Sequence, residues 1–221
     1  LSLKAGVGFG RPLLSYAKKL NPWQSRGMSE THLVLDTDIR GPWQIGTEVI
    51  YFGMGCFWGA EKKLWKIPGV ISTAVGYMGG TASEPTYPMV CTGTTGHSEI
   101  VLVAYNPAQT SVYELLKCFW ENHDPTQGNR QGNDMGSQYR SAVYWTTPDQ
   151  ELWVKESRNA YNEVLNGKGF DPITTELAPA SNFKFWYAEE YHQQYLIKNP
   201  NGYDCHAHTG ILLPEIATLS S

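Results

Sequence analysis

The chain has 221 residues, of which 41% are apolar and 17% charged, a balance that suits one substantial core and argues against disorder. A formal charge of -4 offers no electrostatic footprint for nucleic acid. No apolar run approaches the roughly 20 residues a membrane-spanning helix needs, so a soluble domain is expected.

Lys4, Arg11, Lys18, Lys19 and Arg26 all precede the first acid, Glu30, so residues 1–28 form a basic segment with the composition of an organelle transit peptide or of a simple basic tail. Met28 offers an internal start, and the expected location is cytoplasmic, mitochondrial or both. Residues 29–46 form a lead-in, 47–198 a catalytic domain, and 199–221 a mobile C-terminal tail rich in Gly and Asn at its start.

From residue 47 the pattern predicts Thr47–Phe52 as a strand ended by Gly53 and Gly55. Phe57, Ala60, Leu64 and Ile67 recur at helical spacing before Pro68 and Gly69 stop the helix. Val70–Tyr77 is a second strand, followed by a long polar loop. Ser98–Tyr105 is apolar at alternate positions on both sides, which predicts a strand buried on two faces. Val112–Asn122 is an amphipathic helix carrying Leu115, Leu116 and Phe119 on one side. Ser141–Trp145 is a further strand and Pro148–Leu165 a further helix. The order β-α-β-β-α-β predicts an α+β fold, a two-layer sandwich with a ferredoxin-like split βαβ core, long loops and an irregular tail.

The four cysteines, Cys56, Cys91, Cys118 and Cys205, show neither CxxC nor paired zinc-ligand spacing, and there is no Asn-x-Ser/Thr acceptor, so a disulfide-stapled secreted fold is not expected. Cys56 stands in Gly55-Cys56-Phe57-Trp58-Gly59, at the strand-to-helix turn. There the unsatisfied amides and positive dipole end of a helix favour an anion. A thiol with pKa near 8.5 is only about 3% ionised at pH 7, and lowering it to about 7 needs about 2 kcal/mol, within reach of such a terminus. Cys56 is therefore the candidate redox nucleophile. On position alone, a lone cysteine is more often a small buried hydrophobe.

Gly55-Cys56-Phe57-Trp58-Gly59 resembles the signature of the peptide methionine sulfoxide reductase A family. Ordered matches continue from about residue 47 to about 203. They include Pro85-Thr86-Tyr87, Val90-Cys91-Thr92-Gly93, Thr95-Gly96-His97-Ser98-Glu99 and Phe119-Trp120-Glu121-Asn122-His123-Asp124. Further on come Gln131-Gly132-Asn133-Asp134, Gly136-Ser137-Gln138-Tyr139-Arg140, Tyr187-Ala188-Glu189 and His192-Gln193-Gln194-Tyr195.

The resemblance implies a thiol-dependent oxidoreductase that reduces methionine-S-sulfoxide, free or in proteins, and so repairs chains damaged under oxidative stress. It implies that Glu99 is the proton donor, its pKa raised by desolvation, and that Tyr87 and Tyr139 hold the sulfoxide oxygen. Asp134 would orient polar groups, and Phe57 and Trp58 would accept the substrate methyl. His192, Tyr195 and Tyr203 would stand on the substrate side of the pocket. Attack by Cys56 would leave a sulfenic acid, and Cys205 would resolve it as a disulfide that thioredoxin or another dithiol reduces. Family members often place that cysteine directly after Gly-Tyr; here Asp204 intervenes.

Cys91 and Cys118 are expected to be buried. No bound cofactor or metal is expected, although Cys205-His206-Ala207-His208 can also be read as a soft-metal tract. The protein is expected to be a monomer that binds neither nucleic acid nor membrane. The rival functions are a thiol peroxidase using the same cysteine and a non-catalytic module that binds oxidised methionine.

Overall fold

The computed structural model describes residues 31–205 and 207–216. The basic segment 1–28 and His206 lie outside the described residues. The elements in chain order are β1 (Glu48–Met54), α1 (Phe57–Leu64), β2 (Val70–Met78), α2 (Tyr87–Cys91), β3 (Ser98–Tyr105), α3 (Val112–Glu121) and β4 (Arg130–Gln131). They continue with β5 (Asp134–Met135), β6 (Ser141–Trp145), α4 (Pro148–Gly167), β7 (Glu176–Pro179), β8 (Trp186–Tyr187) and α5 (Tyr195–Lys198).

Six strands form one sheet in the order β7-β6-β1-β3-β2-β8, and β4 pairs only with β5. β1 lies between β3 and β6, antiparallel to both, so that Phe52 faces Val101 on one side and Val143 on the other. β2 completes the split β-α-β-β-α-β core on the far side of β3, and β7 joins β6 in parallel at the edge. The expected fold class is the one observed.

Alternation along β3 sends its side chains into two different cores, because successive residues of a strand point to opposite faces. Val101, Val103 and Tyr105 meet Leu115, Leu116, Phe119 and Trp120 of α3, and Val154, Tyr161 and Leu165 of α4. On the reverse face Leu102 and Ala104 pack with Ile39 and Ala74, while Ile100 packs with Met78, Ala142 and Tyr144. That face is covered by the lead-in, through Ile39 and Trp43, and by Phe183, Phe185 and Tyr187. Every residue of β3 is buried, as its two-sided apolar pattern predicts.

Side-chain caps open the two longest helices. Ser111 Oγ accepts from the Glu114 amide at 3.3 Å to open α3, and Thr147 Oγ1 accepts from Gln150 at 3.2 Å to open α4. His123, just after α3, is fully buried with Nδ1 2.6 Å from Phe119 O and Nε2 2.7 Å from Ser141 Oγ, which ties the helix end to β6.

The element boundaries differ from expectation in instructive places. Gly53 lies inside β1 rather than ending it, since its backbone still pairs with Ala142. α1 ends at Leu64, one turn before Ile67. The polar loop after β2 contains α2, and β7, β8 and α5 had no counterpart in the pattern because they are two to four residues long and form by joining neighbours already in place. Among the described residues no helix is long and apolar enough to cross a membrane.

Candidate active site

The turn from β1 into α1 places a thiol at the helix N-cap, with Cys56 at φ -53° and ψ 120°. Gly55 makes this possible. Its φ of +85° is a left-handed conformation, and a Cβ there would sit 2.6 Å from the side chain of Gln131. No side-chain hydrogen bond from Cys56 caps the helix. The first amide, Phe57 N, instead donates to Glu99 Oε2 at 3.0 Å, which brings the carboxyl from β3 beside the sulfur. Cys56, Phe57, Trp58, Tyr87, Glu99, Asp134, Tyr139 and Tyr203 line a single cavity of about 190 Å³.

Glu99 is 2% exposed, and burial pushes its pKa up to about 8, opposed by the Phe57 amide and reinforced by the charge of Asp134. Its acid form is therefore favoured at neutral pH. Cys56 departs from expectation. Burial, and then the charge of Glu99, push its thiol well above the ordinary range, while the amides of Trp58 and Gly59 pull the other way. Cys56 is only 7% exposed, and at that depth the cost of taking a thiolate out of water outweighs the pull of the two amides at the helix start. Burial thus favours the protonated form of both groups.

Tyr87 opens α2, and its amide donates to Glu189 Oε1 at 2.9 Å. Tyr77, fully buried on β2, donates its hydroxyl to Glu189 Oε2 at 2.8 Å. Glu189 is thus the bracket that ties the Tyr87 segment to the sheet. Tyr139 follows from a short turn at Ser137–Tyr139. Burial raises the pKa of both Tyr87 and Tyr139, which keeps both hydroxyls as donors. Asp134, on the β4-β5 hairpin, accepts from the Tyr203 hydroxyl at 3.0 Å.

His192 and Tyr195 do not line the cavity. They stand behind Trp58, whose indole N–H donates to His192 Nδ1 at 3.0 Å and whose ring stacks on Tyr195 with centroids 3.8 Å apart. They orient the wall rather than form it. His192 also packs against two other lining residues, with ring centroids 4.5 Å from Tyr87 and 5.1 Å from Phe57.

Three supporting side chains were missed as such. Gln193 bridges Val75 N, Val75 O and Ala188 O, pinning the chain after β8 to β2. Glu61 is fully buried and accepts from Thr73 Oγ1, Gln194 N and Gln194 Nε2, each at 2.9 Å. Its place among Phe57, Ala60 and Leu64 on the buried side of α1 was a readable signal of a buried charge. Glu189 and Gln193 stand in the family-like segments Tyr187-Ala188-Glu189 and His192-Gln193-Gln194-Tyr195, but nothing local marks what they bind.

Cys205 lies beside the site, not in the cavity lining. Its sulfur is 3.9 Å from Gln131 O and in contact with the Tyr203 hydroxyl. The described part of the tail is held at several points: Leu213 is 5% exposed in the main core, and the Tyr161 hydroxyl donates to Ile211 O at 2.9 Å. Cys91 is exposed, contrary to expectation, because α2 buries only Val90, and its sulfur meets the Tyr87 hydroxyl. Cys118 is partly buried against the core. Among the described residues, no three His, Cys, Asp or Glu side chains gather as a metal-ligand set.

A sequence model described as "Peptide methionine sulfoxide reductase" matches residues 48–217. The chain is 55% identical over 185 residues to "Peptide methionine sulfoxide reductase MsrA" of Rhodospirillum centenum, covering 83% of each. A solved structure, "Methionine sulfoxide reductase A of Corynebacterium diphtheriae", superposes with a TM-score of 0.73 at 48% identity, over 83% of this chain and 89% of that one. The reduced form of Mxr1 from Saccharomyces cerevisiae superposes with a TM-score of 0.65 at 35% identity, over 76% of this chain and 93% of that one.

Proposed function

The chain belongs to the peptide methionine sulfoxide reductase family and reduces methionine sulfoxide, and on that premise we propose that Cys56 takes up the sulfoxide oxygen with Glu99 as proton donor. The observation that carries this reading is one cavity lined together by Cys56, a 2% exposed Glu99 whose pKa burial raises to about 8, and the two tyrosines Tyr87 and Tyr139.

The substrate methyl rests on Phe57 and Trp58, and the sulfoxide oxygen accepts from Tyr87 and Tyr139. Neutral S=O is a poor leaving group until it is protonated. Glu99 gives its proton to that oxygen as the Cys56 sulfur attacks, and its carboxylate takes the proton the thiol gives up. The oxygen passes to Cys56, so the thiol becomes a sulfenic acid while the sulfoxide becomes a thioether. The raised thiol pKa is consistent with this exchange, because the cysteine need not be ionised before substrate arrives. Asp134 orders the polar side of the cavity and raises Glu99 further.

Cys205 then condenses with the sulfenic acid to form a Cys56-Cys205 disulfide with loss of water, and thioredoxin or another dithiol reduces that bond. The substrate is the S epimer, free or in oxidised proteins, and the role is repair after oxidative stress in the cytoplasm, the mitochondrion or both. The catalytic unit is 47–198, acting as a monomer.

The test is turnover of each purified sulfoxide epimer with dithiothreitol. Activity confined to the S epimer, abolished in Cys56→Ser and severely reduced in Glu99→Gln, is the expected result. Full activity of Cys56→Ser overturns the assignment.

A further inference from the structure

The segment Tyr203-Asp204-Cys205 sends its side chains to alternate sides. Tyr203 reaches Asp134 at 3.0 Å, and Cys205 lies on the same side, 3.9 Å from Gln131 O and 3.6 Å from the position a Cβ would take on Gly132. Asp204 points the other way, onto α1, where its Oδ2 is 3.0 Å from Lys62 Nζ. Its Oδ1 lies 2.6 Å from where a Cβ on Gly59 would sit, so the carboxylate occupies the room that glycine leaves. Extended chain alternates with a period of two residues, so anchoring Asp204 to the helix turns the next side chain toward the hairpin of β4 and β5.

The contact is an expensive one to keep for stability alone. Among the described residues, Asp204 Oδ1 is buried and accepts no hydrogen bond, and Lys62 is the one ion-pair partner of the carboxylate. A buried acceptor left unsatisfied opposes folding, and a partly exposed ion pair returns little. What the pair does supply is position. Lys62 and Gly59 belong to the helix that Cys56 caps, so the tail is referred directly to the element that carries the nucleophile.

We propose that Lys62 and Asp204 are a positioning pair that sets the side and register of Cys205 for its condensation with the Cys56 sulfenic acid. In that step the Cys205 sulfur bonds to the Cys56 sulfur, and the sulfenic hydroxyl leaves with the Cys205 proton as water. The pair takes no part in methionine release. The inference rests on the assignment of Cys205 as the resolving thiol, and it predicts that loosening the anchor slows only this second step, by lowering the effective concentration of one sulfur at the other.

The experiment mixes reduced protein with one equivalent of methionine sulfoxide, quenches with acid, alkylates free thiols, and follows both methionine and the Cys56-Cys205 disulfide in time. Lys62→Met and Asp204→Asn are expected to release methionine at the rate of the unaltered protein and to form the disulfide about fivefold more slowly, the range open to a partly exposed ion pair. Lys62→Arg restores the rate, the double variant is no slower than either single one, and the difference shrinks in high salt.

Disulfide formation at the unaltered rate in both single variants overturns the proposal, as does a parallel loss of the methionine burst, which would mark the pair as merely structural. If the unaltered protein releases methionine yet forms no Cys56-Cys205 bond, the resolving assignment falls and the anchor falls with it.

Discussion

The two thiols of the proposed redox couple rest on opposite kinds of support. Cys56 stands where a central strand of the sheet meets a helix, 7% exposed, with Phe57 beneath it in the main core and Glu99 delivered from the neighbouring strand. Cys205 sits in a stretch without regular secondary structure, held by Tyr203 on Asp134, by Asp204 on Lys62, and farther on by Leu213 in the core. A group whose chemistry depends on a fixed partner is built onto packed elements. A group that must approach another sulfur is held by a few polar contacts that can be remade.

The sharpest way to break that contrast is to remove each thiol in turn. Cys56→Ser is expected to abolish methionine formation altogether, whereas Cys205→Ser should complete one turnover and lose only thioredoxin-supported cycling; a single-turnover assay beside a coupled steady-state assay separates the two. If both variants fail in the first turnover, the tail belongs to the chemical step and the contrast is wrong.

Glu99→Gln should cost about 10²–10⁴ in the rate of methionine release, the usual worth of a placed proton donor. The sign of the pH dependence follows from a carboxyl whose pKa is raised to about 8: its acid form is full at neutral pH and is lost as pH rises through that value. The rate of methionine release should therefore fall above about pH 8 in the unaltered protein and show no such limb in Glu99→Gln. A pH profile of single-turnover rates checks both.

The packing contrast predicts unequal costs in stability. Phe119→Ala, which empties a site stacked on Phe52 with centroids 5.2 Å apart, should cost about 3–5 kcal/mol. Leu213→Ala should cost about 2 kcal/mol, near the low end for such a change, because the irregular segment can settle into the space. Lys62→Met should change stability by less than about 1 kcal/mol. Urea denaturation of the three variants orders them, and a large loss for Lys62→Met would make the tail part of the rigid scaffold.

Much of this was open to reading along the chain. The alternation of Ser98–Tyr105 predicts a strand buried on both faces because each face needs its own apolar series, and the spacing of Phe57, Ala60 and Leu64 marks α1 because one helical side must be apolar. The cavity residues Cys56, Glu99, Tyr87, Tyr139, Asp134, Phe57, Trp58 and Tyr203 were all named from motif matches, and all of them line one space. His192 and Tyr195 were named with them but stand one layer back, since no motif states which ring lies in front. Glu189, Gln193 and Glu61 had no assigned role, because their hydrogen bonds run to segments far away in the chain.

The amino-acid sequence by itself determined the order of elements and the placing of a thiol on a glycine-flanked turn at a helix start, because periodicity and left-handed backbone are local properties. Only the tertiary structure decided that burial raises the Cys56 thiol instead of the helix start lowering it, and that Cys205 faces the hairpin while Asp204 faces the helix. Those outcomes depend on burial and on partners 42, 134 and 142 residues apart, at Phe57 with Glu99, Trp58 with His192 and Lys62 with Asp204. Desolvation is a property of the folded surroundings, and a residue acquires it only when distant parts of the chain close over it.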